Sequence, residues 1–119
     1  MAWYAASAIM YVRFKDGRQD HYPIWENILL VEAPSDSVAE ERAIERARLD
    51  EGDSDATFRW NGRPAEWVFA GVRKILSVSH ESDTLGDGDE ITYSEFSVAD
   101  EKALQDLSAG REVSLRYIE

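Results

Sequence analysis

The chain has 119 residues, with 24 Asp and Glu against 13 Lys and Arg, and a formal net charge of −11 at pH 7. This charge disfavours nucleic-acid binding, because neutralised phosphates supply most of that affinity, and the absence of Cys excludes disulfides and Cys-ligated metal sites. The hydrophobic share of 44% argues against disorder, and the length predicts one compact domain over residues 1–119.

Two strands are predicted before the first helix. The first runs from Trp3 to Phe14 and ends at an Asp-Gly pair, which supplies the positive φ angles of a tight hairpin turn. The second runs from Pro23 to about Ala33. Because both strands carry apolar side chains on both faces, both are expected in the centre of a sheet that is covered on each side.

The first helix is predicted to follow Pro34 and to end near Asp50. Ser37 and Glu40 have the spacing of a capping box, in which each side chain accepts from the other residue's backbone N–H. The apolar stripe of this helix is made of small residues, namely Ala39, Ala43 and Ala47.

A β-hairpin follows the helix. Asn61-Gly62 stands between a short strand that ends at Trp60 and a long apolar strand from Trp67 to Val78, which predicts a type I′ turn. Gly71 within the long strand indicates a β-bulge or a close backbone approach. A fifth strand is predicted at 90–98, a second helix at about 100–109 and a last strand at 112–118. The order ββαβββαβ predicts an α+β fold with an antiparallel sheet of about six strands and two helices.

Several sequence blocks are distributed along the chain: WYAA from Trp3, WENILLVEA from Trp25, FRWNG from Phe58, FAGVRK from Phe69 and EITYSEF from Glu90. Together they resemble a family of small bacterial domains of unknown function. The resemblance implies a stand-alone domain of about this size and brings no agreed activity with it.

The acidic residues are concentrated in two stretches. Nine lie between Glu32 and Asp55 and nine between Glu81 and Asp106, whereas residues 56–80 hold four basic residues and one acid. Clustered acid steers a basic partner, but it is equally typical of a solvated helix face or loop. If the partner is basic, the residues expected to contact it are Glu40, Glu41, Glu45, Glu81, Asp83, Asp87, Asp89, Glu90 and Trp60. Trp60 is included because Trp is frequent at interface hot spots.

No catalytic residue, metal site or cofactor is predicted. His80 with Glu81 and Asp83 is a weak zinc pattern, because it offers a single His beside carboxylates. The acids at 83–90 lack the spacing of a calcium-binding EF-hand. No Ser stands in a nucleophile motif with a His base beside it, and no glycine-rich loop opens a helix to hold phosphate.

The leading hypothesis is a non-enzymatic, cytoplasmic binding protein that presents acid to a basic protein partner. A bacterial immunity protein or an antitoxin-like inhibitor is its most concrete form. The alternative is a self-associating structural or regulatory module that forms a homodimer through sheet edges or an exposed Trp. A third option is a small ligand-binding domain or enzyme, which needs a concave pocket. No membrane association is expected, because the apolar run from Trp3 to Val12 is too short to cross a bilayer.

Overall fold

The structure is a computed structural model, and it describes residues 1–53, 55–78 and 85–118. The elements in chain order are β1 (Ala2–Phe14), β2 (Ile24–Ala33), α1 (Asp36–Arg48), β3 (Arg59–Trp60), β4 (Arg63–Ser77), β5 (Phe96–Ser97), α2 (Glu101–Ser108) and β6 (Arg116–Tyr117). The predicted α+β class and the order ββαβββαβ are confirmed. The strands divide into an antiparallel sheet in the order β2-β1-β4-β3 and a separate pair, β5-β6.

Strand β1 is the centre of the larger sheet. It pairs with β2 over its residues 2–11 and with β4 over its residues 4–14. Because side chains alternate along a strand, the even-numbered residues of β1 share one face and the odd-numbered residues share the other. The even face is the core side, since Tyr4, Met10 and Val12 are buried there and α1 packs against Tyr4 and Met10.

Strand β2 lies at the edge of the sheet, so the prediction that it is central was wrong. In the described part of the chain it pairs with β1 alone. On the face of the sheet that it shares with the odd-numbered residues of β1, the β2 side chains are largely exposed. Ile24, Ile28 and Leu30 are exposed by 52%, 40% and 42%. Apolar residues on both faces predict burial, but in β2 the face that carries Ile24, Ile28 and Leu30 stays partly exposed among the described residues.

Helix α1 is capped two residues earlier than predicted. The side chain of Ser35 accepts a hydrogen bond from the Val38 backbone N–H at 3.3 Å, and Ser37 already lies within the helix. Ser35 has the extended backbone of an N-cap, with φ −155° and ψ 165°. The predicted stripe of small residues is buried, since Ala39, Ala43 and Ala47 are exposed by 0%, 0% and 2%. These small side chains let the helix approach the sheet closely.

The connection between β1 and β2 is longer than the predicted tight turn. Gly17 has the expected positive φ of 84°, but the chain runs on to Pro23 before the strands pair. The side-chain amide of Gln19 closes this loop, because it accepts from the Phe14 N–H at 3.1 Å and donates to the Val12 carbonyl at 3.0 Å. A glutamine side chain therefore replaces the missing strand-to-strand hydrogen bonds.

Strand β4 is irregular where a bulge was predicted. Its pairing with β1 passes over Ala70 and then over Arg73, on either side of Gly71. The second bulge places Arg73 so that its guanidinium reaches across β1 to Glu26 of β2, at 2.7 and 3.0 Å. At the start of β4, Asn61 and Gly62 have φ of 51° and 78°, in agreement with the predicted type I′ turn.

The segment from β5 to β6 lies apart from the core. Helix α2 is capped by Asp100, which accepts from the Ala103 N–H at 2.8 Å, and the helix has no buried residue. The rings of Phe96 and Tyr117 meet edge to face at 5.5 Å. The Arg73 guanidinium lies 4.7 Å from the centroid of the Tyr117 ring, which joins this segment to the larger sheet.

Candidate binding site

The acids on the sheet and its connections are largely neutralised by cations. Their ion pairs are Arg63–Asp16 at 2.5 Å, Arg73–Glu26 at 2.7 Å and Lys15–Asp53 at 3.2 Å, together with Arg13–Glu66. In the C-terminal segment, Asp106 is paired with both Lys102 and Arg111. These carboxylates stabilise contacts within the chain.

The Asp16–Arg63 pair is the best oriented of them. Arg63 donates through Nε and Nη2 to the two carboxylate oxygens, at 2.8 and 2.5 Å, and its guanidinium lies 3.7 Å from the Phe14 ring centroid. The hydrogen bonds from Arg63 lower the pKa of Asp16 to about 2. This fork joins the loop after β1 to the hairpin that opens β4.

The predicted contact acids of α1 are arranged differently. Glu40, Glu41 and Glu45 are exposed, and none of them forms an ion pair within the described residues. Glu41 and Glu45 stand one helical turn apart, a like-charge spacing that destabilises a helix by about 0.2–0.5 kcal/mol. Arg42 offers no compensation, because it donates to the backbone carbonyl of Glu32.

The second predicted acidic cluster is described only in part. Glu81 and Asp83 lie outside the described residues. Asp87, Asp89 and Glu90 are exposed, and the Asp89 carboxylate accepts from the Gly86 N–H at 2.6 Å. Asp89 therefore stabilises its own turn.

Trp60 does not project from the hairpin. It is half-buried against the cluster of Val12, Phe14 and Ala65, with its ring edge to face on Trp67 at 6.1 Å. The exposed tryptophan is Trp25, at 52%. The sequence offered one hint of this, since Trp25 stands near the start of a strand just after Pro23.

A cleft of about 290 Å³ opens beside Trp25 and Trp67, on the face of the sheet that α1 covers and near the C-terminal end of that helix. Its lining residues are Met10, Trp25, Asn27, Asp50 and Trp67. The two indole rings have centroids 4.7 Å apart and are tilted by 49°. Sequence reasoning did not connect these residues, because they come from four separate parts of the chain.

Strand register and the end of α1 together build this cleft. Met10 is directly paired with Trp25, so both side chains project from the same face of the sheet. The chain after α1 is held to that face because Gly52 and Trp67 exchange backbone hydrogen bonds of 2.8 and 3.2 Å. Asp50, two residues before Gly52, is thereby brought beside the tryptophans.

The electrostatics of the cleft favour a cation. Asp50 is exposed, and its carboxylate has no ion pair or hydrogen bond within the described residues. The C-terminal end of α1, at Leu49, carries the negative end of the helix dipole. The faces of indole rings are also negative.

The residues that line this cleft lie in the part of the chain that a protein-family model matches. A family model described as a domain of unknown function, DUF4288, matches residues 3–94. The chain belongs to the DUF4288 family. No curated protein and no solved structure matches it. The DUF4288 match covers β1 to β4 and α1, whereas β5, α2 and β6 follow it.

Among residues 1–53, 55–78 and 85–118, no three His, Asp or Glu side chains are grouped to hold a metal ion. The weak zinc pattern of His80, Glu81 and Asp83 lies outside those residues. No helix in the described part of the chain is long and apolar enough to cross a bilayer.

The Asp16–Arg63 pair predicts a specific pH dependence of stability. The folded pKa of Asp16, about 2, lies below its ordinary value of 3.8, so its stabilisation is present above that value and is lost as pH falls toward 2. The variant Asp16→Asn should have a lower free energy of unfolding than the wild type at pH 7. The two should converge near pH 2, as measured by urea denaturation across that range.

Asp55→Asn is the matched control, because Asp55 is exposed and has no ion pair within the described residues. Its free energy of unfolding should follow that of the wild type at every pH. A deficit of Asp16→Asn that stays constant from pH 7 to pH 2 would contradict the role assigned to this pair.

Proposed function

We propose that this protein is a non-enzymatic binding protein whose acidic surface engages a basic protein partner. One observation carries the proposal: Glu26 and Glu66 of the sheet are held by arginines, whereas four exposed acids on α1 and directly after it have no ion pair within the described residues. These four are Glu40, Glu41, Glu45 and Asp50. A partner's Lys or Arg can pair with them without breaking an ion pair inside the chain.

The position of these acids supports a defined interface. They lie on the solvent-facing side of α1 and at its end, where the chain meets the tryptophan cleft. Acid along a helix attracts a basic surface over long range and raises the association rate, while contacts in a cleft fix the orientation of the complex. A basic partner lying along α1 thus meets both kinds of contact.

The specific form of this proposal is a cytoplasmic bacterial immunity protein or antitoxin-like inhibitor. Carboxylates on such a protein occupy the positions where a nuclease binds phosphate. The net charge of −11 fits this role, because it repels nucleic acid while attracting the protein that binds nucleic acid.

The proposal predicts salt-dependent capture of a basic protein. The tagged chain should recover it from an extract of the native cell at low salt, with weaker recovery as salt rises. The triple variant Glu40→Gln, Glu41→Gln, Glu45→Gln should lower the association rate constant by about tenfold, the lower end of electrostatic steering, in surface plasmon resonance.

The control removes three exposed acids elsewhere that have no ion pair among the described residues, in the variant Asp55→Asn, Glu101→Gln, Glu112→Gln. It should lose much less of the association rate than the helix variant does. Equal losses would show that net charge alone matters. Recovery of no basic protein at either low or moderate salt would exclude the proposal.

A second candidate function, self-association, is favoured by the edge strand β2. Natural proteins usually guard such an edge with charged residues, Pro or a bulge. Strand β2 has no Lys, Pro or bulge along its ten residues, and of its two charges Glu26 is already paired with Arg73. Its exposed Ile24, Ile28 and Leu30 add an apolar stripe. A two-fold axis at Ile28 pairs β2 antiparallel with β2 of a second chain, so that Ile28 lies opposite Ile28. The side chains of each face then stay on the same face across the interface, and the two sheets form one continuous sheet.

This candidate predicts a dimer that a single charge disrupts. Light scattering should give a dimer mass for the wild type and a monomer mass for Ile28→Lys, because the two-fold places like charges directly opposite each other. Leu104→Lys adds the same charge at an exposed leucine of α2 and should leave the dimer intact. A wild type that stays monomeric at high concentration would eliminate this candidate.

A further inference from the structure

We infer that the cleft beside Trp25 and Trp67 is a binding site for the cationic end of an arginine or lysine side chain, with Asp50 as its counter-ion. This inference deepens the proposed function, and it rests on that function for the identity of the protein that carries the side chain. The cleft itself is defined by contacts within the described chain.

The carboxylate of Asp50 supplies the charge recognition. It lies beside two indole rings and has no cation of its own, since no Lys or Arg is among the residues that line the cleft. Arg48, in the last turn of α1, has no ion pair with Asp50 in the described chain, and its guanidinium lies 5.6 Å from the Phe69 ring centroid. The amide oxygen of Asn27 offers a second acceptor in the cleft.

The indole rings supply the shape. Trp25 is 52% exposed, so its surface is accessible to a ligand. Trp67 is held in place by Phe58, stacked at 5.5 Å, and by Trp60, edge to face at 6.1 Å. An aromatic wall fixed in advance lowers the entropic cost of binding, and indole is the most favourable ring for a cation.

The size of the cleft selects a side chain over a larger ligand. Pockets for whole drug-sized molecules span about 300–1,000 Å³. The volume of about 290 Å³ here lies at the bottom of that range. A guanidinium can stack on an indole ring while its N–H groups point at a carboxylate, and an ammonium can satisfy the same carboxylate as a point charge.

Another cleft of the molecule lacks this preference. It lies between the start of α1 and β4, measures about 420 Å³ and is lined by Asp36 and Glu40 together with Arg73 and Lys74. Because two acids and two cations line this cleft, their charges balance and the cleft gives no net preference for a bound cation. The cleft at Trp25 is lined by an acid and by no Lys or Arg.

The inference is tested with small probes that need no partner protein. N-acetyl-arginine methylamide and N-acetyl-lysine methylamide are titrated into ¹⁵N-labelled protein, and the indole N–H signals are followed by NMR after assignment with single Trp→Phe variants. The signals of Trp25 and Trp67 should shift saturably with both cationic amides. The citrulline amide, which matches arginine in shape but is neutral, should bind about tenfold more weakly, the loss expected without a charge-assisted contact.

Two variants locate the site. Asp50→Asn, a neutral isostere, should weaken binding of the arginine amide by about tenfold, and Trp25→Ala should remove the saturable shift. Asp55→Asn makes the same charge change outside the cleft and should retain wild-type affinity. A dispersed spectrum for each variant shows that it is folded. Equal binding of citrulline, or unchanged affinity of Asp50→Asn, would overturn the inference.

The two proposals fail separately. If the cationic amides titrate Trp25 in the wild type but no basic protein is captured from the cell, the cleft binds cations and the partner function is wrong. If a basic protein is captured equally well by the wild type and by Asp50→Asn, the partner function stands and the cleft is not its binding site.

Discussion

The close packing of α1 on the central strand is the contact on which the surface of this protein depends. Ala39 packs with Tyr4 and Ala33, and Ala47 packs with Ala8 and Met10. Because the stripe of α1 is made of alanines, the glutamates of the helix are turned to solvent and the helix lies low on the sheet. Its end is then joined to Trp67 through Gly52, which sets Asp50 beside the indole rings.

The acidic residues that give the net charge of −11 therefore include two groups with different roles. Carboxylates such as Asp16 and Glu26 are committed to arginines and stabilise the sheet and its connections. Those of α1 have no such commitment in the described chain and repel one another at short range. A basic partner relieves that repulsion. Asp50 defines where a cationic side chain of the partner binds, because indole rings lie beside its carboxylate.

Local features of the fold were predictable from the sequence, and long-range ones were not. The Asn61-Gly62 turn and the alanine stripe each depend on neighbouring residues, so the sequence indicates them directly. The edge position of β2 depends on which strand pairs with which, and apolar residues on both faces do not reveal that choice. The cleft joins residues 10, 25, 27, 50 and 67, whose proximity arises only from strand register and the path of α1. The packing of Trp60 against Trp67 is likewise a contact that a position near a turn does not reveal.

The packing of α1 on β1 is tested most directly by enlarging one alanine at the contact. Ala43 is 0% exposed, so Ala43→Leu should force the helix away from the sheet. Its free energy of unfolding should fall by about 1–3 kcal/mol in urea denaturation. Ala70→Leu, at an exposed alanine of β4, should change stability by less than about 0.5 kcal/mol. Equal stability of Ala43→Leu and the wild type would contradict the close approach of helix and sheet from which the acidic surface and the cleft both follow.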